Sequence, residues 1–306
     1  MPSTRPAEIY FGERLTSAAH TRRALATSGP GLLWIFIFLI GPLFAICAIS
    51  FLSRGDYGEI QSPATLGNYK RLIGFGEFGF DSLYPMILWR SVLLGFGTAL
   101  ICLLAALPLA FFISGFSARR KTFALTLIVI PFWTNLLIRT YAWQILLAPE
   151  SPLTKFAAAL GLIHAGDGLY PSLFAVFIGM VCDYLPFMVL PLYASVEKLD
   201  WTLAEAAADL GANRARVFWH AILPQIKPGL IAGLILVFLP ATGQFVIPDL
   251  LGGAKTMLLG NAIQQQFGSS RDWPFGAAIT VVALALMLFG IWFYNRTRGE
   301  NAEELL

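Results

Sequence analysis

Residues 205–229 read EAAADLGANRARVFWHAILPQIKPG, a charged, helix-forming passage set between two stretches oily enough to live in lipid. Ala204, Ala206, Ala207 and Ala208 favour a helix, and Gly211 is placed to stop it in a left-handed cap. Thr202 and Glu205 have the T-x-x-E spacing of a capping box, worth on the order of 1 kcal/mol at a helix start. A second helical run is expected from Asn213, carrying Val217, Phe218, Ile222 and Leu223 on one face and ending against Pro224 and Pro228. The bland interpretation is a surface loop that happens to be helical. Two features weigh against it. The first helix is thin and alanine-rich, suited to another protein's groove. The passage also runs through Ile222-Leu223-Pro224 into the next apolar block, so a push on it would reach the membrane.

Outward from this passage the chain is apolar. Of its 306 residues 57% are hydrophobic and 13% charged, against about 25% charged in a soluble domain. The apolar residues fall into six blocks, approximately 31–52, 91–116, 122–147, 170–195, 228–251 and 275–294. A spanning helix needs about 20 such residues to cross about 30 Å of hydrocarbon. In lipid each span must satisfy its own backbone hydrogen bonds, which leaves helices for segments of this kind. The expected fold class is an all-α polytopic membrane protein with six transmembrane helices. The first apolar block is too long for a signal-peptide core of about 7–15 residues and reads as an uncleaved span.

The placement of charge predicts orientation. Arg5, Arg14, Arg22 and Arg23 precede the first block, Arg119, Arg120 and Lys121 separate the second from the third, and Arg296 and Arg298 follow the sixth. Lys198, Arg214, Arg216 and Lys227 lie between the fourth and fifth. Loops of opposite parity are poorer, with Lys155 in 148–169 and Lys255 and Arg271 in 252–274. Loop 53–90 is mixed: Arg54, Lys70, Arg71 and Arg90 stand against Asp56, Glu59, Glu77 and Asp81. The positive-inside rule then makes both termini and the 205–229 passage cytoplasmic.

No pattern of reactive chemistry accompanies the spans. Cys47, Cys102 and Cys182 all sit in apolar blocks and read as packing residues, and His20, His164 and His220 have no metal-ligand spacing. GGAKT at 252–256 has a phosphate-loop flavour, but Asp249 and Ala254 stand where its two glycines belong. The expectation is a chain with no catalytic residues, no metal site and no nucleic-acid partner.

At this point the opening passage is recognisable. Glu205-Ala206-Ala207, Gly211, then Ile222, Leu223 and Pro224 resemble, at matching intervals, the EAA motif of permease subunits of ATP-binding-cassette importers. The resemblance implies a type I importer permease fold with a coupling helix in loop 197–227. It further implies that Glu205, Ala206, Ala207, Asp209, Gly211, Ile222, Leu223 and Pro224 serve contact with a separate ATPase. IPFWTNLLIRTYAW (130–143), YLPFMVLPLY (184–193), EKLDWTLAEAAADLGA (197–212), IPDLLGGAK (247–255) and RDWPFGAA (271–278) are similar to the spermidine/putrescine permeases of the PotB/PotH type. This implies a second homologous permease, a cytoplasmic ATPase dimer that holds the ATP and Mg, an extracytoplasmic polyamine-binding protein and a lipid bilayer. The chain itself would bind no cofactor. Residues 1–30 and 297–306 are expected as cytoplasmic tails flanking a permease domain over 31–296, the first lying on the membrane surface.

A polyamine carries two to four positive charges, so its path needs acidic, amide and aromatic groups to replace water. Asp183, in the middle of the fourth block, is an intramembrane acid, a functional candidate that could equally be a structural acid paired with a neighbouring span. Tyr184 and Tyr193 share its block. In the third block Trp133, Asn135, Arg139, Tyr141 and Trp143 form a polar-aromatic run expected to face the protein interior. Trp143 could instead belong to an interfacial belt. Arg139 would repel a polyamine and reads as an ion-pair partner near the outer end. In the fifth block, Gly229 and Gly233 allow close helix contact, and Pro240, Gly243 and Pro248 are expected to break the helix, placing Gln244 and Asp249 beside a cavity. Two rivals stay open: the same architecture importing another organic cation, an opine or an amino acid derivative, and an ATP-independent transporter or channel. The second leaves the EAA passage unexplained.

Overall fold

The computed structural model describes residues 28–55, 57–76, 79–164, 167–253 and 257–303, with the backbone alone from 293 onward. Arg5, Arg14, Arg22, Arg23, Asp56, Glu77, residues 254–256 of the GGAKT stretch and the side chains of Arg296 and Arg298 lie outside the described residues.

Twelve helices are present among the described residues. They are α1 (Ser28–Ser50), α2 (Gly67–Leu72), α3 (Leu83–Ser114), α4 (Ala118–Val129), α5 (Leu136–Leu147) and α6 (Pro152–Ala159). After these come α7 (Leu173–Val196), α8 (Trp201–Asp209), α9 (Arg214–Gly243), α10 (Val246–Gly252), α11 (Leu259–Phe267) and α12 (Trp273–Glu303). Two small antiparallel ribbons, Ser53–Arg54 with Ile60–Gln61 and Phe75–Gly76 with Gly79–Phe80, decorate the link from α1 to α3.

Among the described residues, five helices are long and apolar enough to span a membrane: α1, α3, α7, α9 and α12. The sixth candidate is a pair, Ala118–Trp133 and Leu136–Leu147, bent by 94° at the junction. The third span expected as one helix over 122–147 is therefore broken. Pro131 has no N–H to continue the α-helical ladder, the turn tightens to 3-10 over Ile130–Trp133, and Thr134 and Asn135 take extended backbone. Helix α1 begins at Ser28 and α12 continues to Glu303.

The core is a triangle in which α3, α7 and α9 pack on one another. Cys102, Ala106 and Ala110 of α3 meet Met180, Met188 and Leu192 of α7 and Ile226 and Val237 of α9. In a bilayer, close approach of backbones replaces the hydrophobic drive that holds soluble helices together. Gly229 and Gly233 supply it. A Cβ on Gly233 would stand 2.6 Å from Met188 Sδ, and one on Gly229 would collide with Pro191 O and Ser195 Oγ. A second cluster, Leu72, Ile87, Leu259, Phe275 and Ile279, joins α2, α3, α11 and α12. Arg71 reinforces it by pairing with the buried Asp272 at 2.9 Å while lying over the Phe275 ring. Helix α1 rests against α12 and otherwise leaves its apolar surface uncovered within the chain.

Candidate functional site

The EAA passage folds as α8, a turn, and the start of α9. Its N-cap is Asp200, whose Oδ1 accepts from Thr202 N at 3.0 Å and from Thr202 Oγ1 at 2.6 Å. The expected Thr202–Glu205 capping box is thus corrected. A carboxylate one position before the helix is the stronger acceptor for its freed N–H groups, and the Thr202 hydroxyl becomes a donor to it. Gly211 has φ of +83°, the left-handed conformation expected of it, and no atom stands within 4 Å of where its Cβ would be. Asn213 then caps α9 by accepting from Arg216 N at 2.9 Å.

The second run does not end at Pro224 or Pro228. It passes through a π turn at Phe218–Ile222 and continues to Gly243. The π turn widens the helix just before Pro224, where the missing N–H and the ring would otherwise disturb a regular α turn. Packing of α9 on α7 and α3 then outweighs the local cost at Pro228.

Within the passage Ala204 is buried and Ala207 half-buried, whereas Glu205, Ala206, Asp209, Leu210 and Gly211 are exposed. Leu210 is 90% exposed, an apolar side chain offered outward at the tip. Ile222 and Leu223 pack against the core, and Pro224 is exposed. Lys121 Nζ donates to Glu197 Oε1 at 2.7 Å and to Oε2 at 3.0 Å, joining the start of α4 to the end of α7. The Lys121 hydrogen bond holds the Glu197 carboxyl below its usual range, and hydrogen bonds from Thr202 do the same for Asp200.

A second constellation sits where α5, α7, α9 and α10 meet. Asp183 of α7 is buried and forms an ion pair with Arg139 Nη2 of α5. Arg139 Nη1 also donates to Pro131 O at 2.7 Å, at the break, and the same oxygen accepts from Thr134 Oγ1 at 2.6 Å and from Thr134 N at 3.2 Å. Asn135 caps α5, its Oδ1 accepting from Leu137 N at 2.8 Å. Tyr184, beside Asp183, accepts at its hydroxyl from Gln244 Nε2 at 3.2 Å. Gln244 Oε1 accepts from Phe245 N at 3.0 Å and Val246 N at 3.2 Å, so it serves the break between α9 and α10.

Only part of the expected substrate-facing set comes together. Asp183, Tyr184 and Gln244 are clustered, with Arg139 as the ion-pair partner of Asp183. Trp133 is 79% exposed, and Asn135, Tyr141 and Asp249 are exposed on this chain. Of the polar-aromatic run in span three, Trp133, Asn135 and Tyr141 are thus exposed on this chain, while Arg139 turns in toward Asp183. Trp143 packs half-buried against the core. Neither Pro240 nor Pro248 breaks span five. Pro240 lies within α9, and Pro248 lies in the first turn of α10, where an N–H is not needed; the break falls at Gly243–Gln244. One participant went unread in the sequence. Gln144 Nε2 donates to Leu250 O at 2.7 Å and to Tyr170 Oη at 3.2 Å, tying α5 to α10. An amide inside an apolar block was its available signal.

Among the described residues no group of three or more His, Cys, Asp or Glu is placed to hold a metal ion. The three cysteines are free thiols.

Residues 25–297 match the model of a family described as binding-protein-dependent transport system inner membrane component. The spermidine/putrescine transport system permease protein PotB of Haemophilus influenzae is 41% identical over 273 residues, covering 88% of this chain and 93% of that protein. PotB of Escherichia coli is also 41% identical over 273 residues, with 88% and 97% covered. The inner membrane ABC transporter permease protein YdcU of Escherichia coli is 29% identical over 287 residues, with 90% and 89% covered. A solved bacterial ABC transporter involved in alginate import has the same fold, with a TM-score of 0.67 at 17% identity over 91% of this chain and 96% of that one. The broken spans, the exposed helix at the EAA passage and this family match agree: the chain belongs to the binding-protein-dependent transport system inner membrane components, as a non-catalytic permease subunit of an ABC importer with the type I permease fold.

Proposed function

We propose that this subunit forms half of the translocation path of a polyamine importer and takes its drive from a separate ATPase at the EAA passage. The observation that carries the substrate class is the 41% identity, along nearly the whole chain, to permeases named for spermidine and putrescine. The chemistry of the spans is compatible with it. Arg139 would repel a cation, and its pairing with Asp183 removes that barrier. Tyr184 and Gln244 add uncharged polar groups beside the pair.

The exposed Trp133, Asn135 and Tyr141 face a second, homologous permease, and the path, to which Asp249 also belongs, runs between the two subunits. Irregular backbone at membrane depth fits such a place, because it is tolerated only in protein or beside a wet cavity. An extracytoplasmic binding protein selects the polyamine outside. Both termini and the passage from 197 to 227 are cytoplasmic. Closure of the ATPase dimer on ATP moves α8, with Glu205, Ala206, Ala207 and Asp209 toward the ATPase and Gly211 at the turn. Ile222, Leu223 and Pro224 carry the movement into α9.

The test is uptake of labelled putrescine and spermidine by cells expressing the complete transporter, with membrane levels of each subunit measured. Gly211→Asp is expected to abolish ATP-dependent uptake and loosen the ATPase. Gly211→Asn should retain more activity, since Asn tolerates the left-handed conformation better than other non-glycine residues. Neither variant is blocked by sterics within the chain. Assembly of all subunits without uptake of either polyamine would overturn the substrate class and point to another organic cation. Uptake independent of the ATPase would overturn the coupling.

A further inference from the structure

Coupling through α8 requires that its displacement be handed to a spanning helix, and the peptide chain alone is a poor strut across the turn at Gly211. A direct link exists at the other end of α8. Gln225, three residues after the π turn of α9, accepts at Oε1 from Asp200 N at 2.9 Å. Its Nε2 donates to Asp200 O at 3.4 Å and to Ala221 O at 2.8 Å. Asp200 is the cap of α8 and holds Thr202 through its own carboxylate. A carboxamide is the side chain that can both donate to and accept from the backbone of a single residue, and so fix orientation as well as distance.

We propose that Gln225 is a positioning residue for transport, the clip by which motion of the coupling helix is passed to span five. The proposal rests on the reading that the EAA passage receives the ATPase. The other cross-link in this region, Lys121 to Glu197, is an exposed ion pair, a class that contributes little and weakens with salt. It also connects α4 to α7 and leaves α9 untouched. Helix α8 also packs on the π turn of α9, and the amide clip is the hydrogen-bonded link that joins its cap to α9.

The experiment uses the complete transporter in proteoliposomes with its binding protein and labelled spermidine, measuring ATP hydrolysis and uptake together. Gln225→Met keeps the length of the side chain and removes all three hydrogen bonds. The expected result is an ATPase that stays bound and hydrolyses ATP while uptake per ATP falls between about fivefold and 150-fold, the ordinary range of coupling between sites. Gln225→Glu, which retains only acceptors beside the Asp200 carboxylate, should fall in the same direction. An unchanged ratio of uptake to hydrolysis overturns the proposal, as does loss of the ATPase from the complex, which would make Gln225 a docking support. Should Gln225→Met fail to accumulate, hydrogen exchange across 197–203 in the wild-type complex decides. Protection of the Asp200 amide supports the clip, and exchange at the rate of open loops sinks it. Failure here leaves Gly211→Asp inactive; failure of the underlying reading shows as Gly211→Asp remaining active.

Discussion

Two asparagines cap helices in opposite surroundings. Asn213 begins α9 in a polar loop, and Asn135 begins α5 in the middle of an apolar block. At Gly211–Asn213 the chain breaks its helix with a glycine at positive φ, and water can reach whatever the caps leave open. At Thr134–Asn135 the break is stapled by side chains: Arg139 and Thr134 both donate to Pro131 O while Asn135 takes the N–H of Leu137. The break at Gly243–Gln244 is likewise served by Gln244. A helix can stop cheaply where solvent stands in for the missing turn. Where the neighbours are apolar, each freed backbone group needs a named partner.

The sharpest way to break this comparison is to remove the charge that staples span three. Arg139→Met leaves the Asp183 carboxylate buried and unpaired, a loss of about 3–5 kcal/mol, seen as poor accumulation and a large fall in Tm of the solubilised complex. The double variant Arg139→Gln with Asp183→Asn should recover much of that stability. Recovery of uptake as well would remove Asp183 from the substrate path and leave it a structural partner. Next in size, Gln244→Leu strips Phe245 and Val246 N–H of their acceptor and is expected to cost about 1–3 kcal/mol, read from the same melting curves. A neutral result would mean that water already serves that break.

The two asparagines give a direct measure of wetness. With the span-three break lining a wet path, Asn135→Ala and Asn213→Ala should each cost about 1 kcal/mol. A clearly larger Tm loss for Asn135→Ala would place the break in a dry interface. The smallest effect belongs to pH. Glu197 and Asp200 are carboxylates held below their usual ranges, so their contribution is present at neutral pH and fades as the pH falls below about 4. A spin label at Leu210 should gain mobility over that interval more in the wild type than in Asp200→Asn.

The amount of structure legible in the sequence differed between the same two regions. Gly211 was readable because only a residue without Cβ takes φ near +83° without strain, and the consequence is local. The α8 cap was misassigned to Thr202 because the T-x-x-E pattern and the neighbouring Asp200 compete for the same N–H groups, and spacing alone does not rank them. Pro224, Pro228 and Pro240 signalled helix ends that packing overrode. In the spans, Asp183 and Arg139 were each visible as costly residues, but their meeting required knowing that α5 turns by 94° toward α7.

By itself the sequence determined that this chain crosses a membrane several times and carries the EAA passage between its fourth and fifth apolar blocks. Those properties follow from the length of apolar runs and from helix signals that act within a few residues. Tertiary structure alone decided that span three is broken, that Trp133 and Tyr141 are exposed on this chain, and that Gln144, Gln225 and Gln244 each bridge one element to another. An amide can satisfy any backbone group within reach, so its partner is set by which helices lie beside it, and that is a property of the packed bundle.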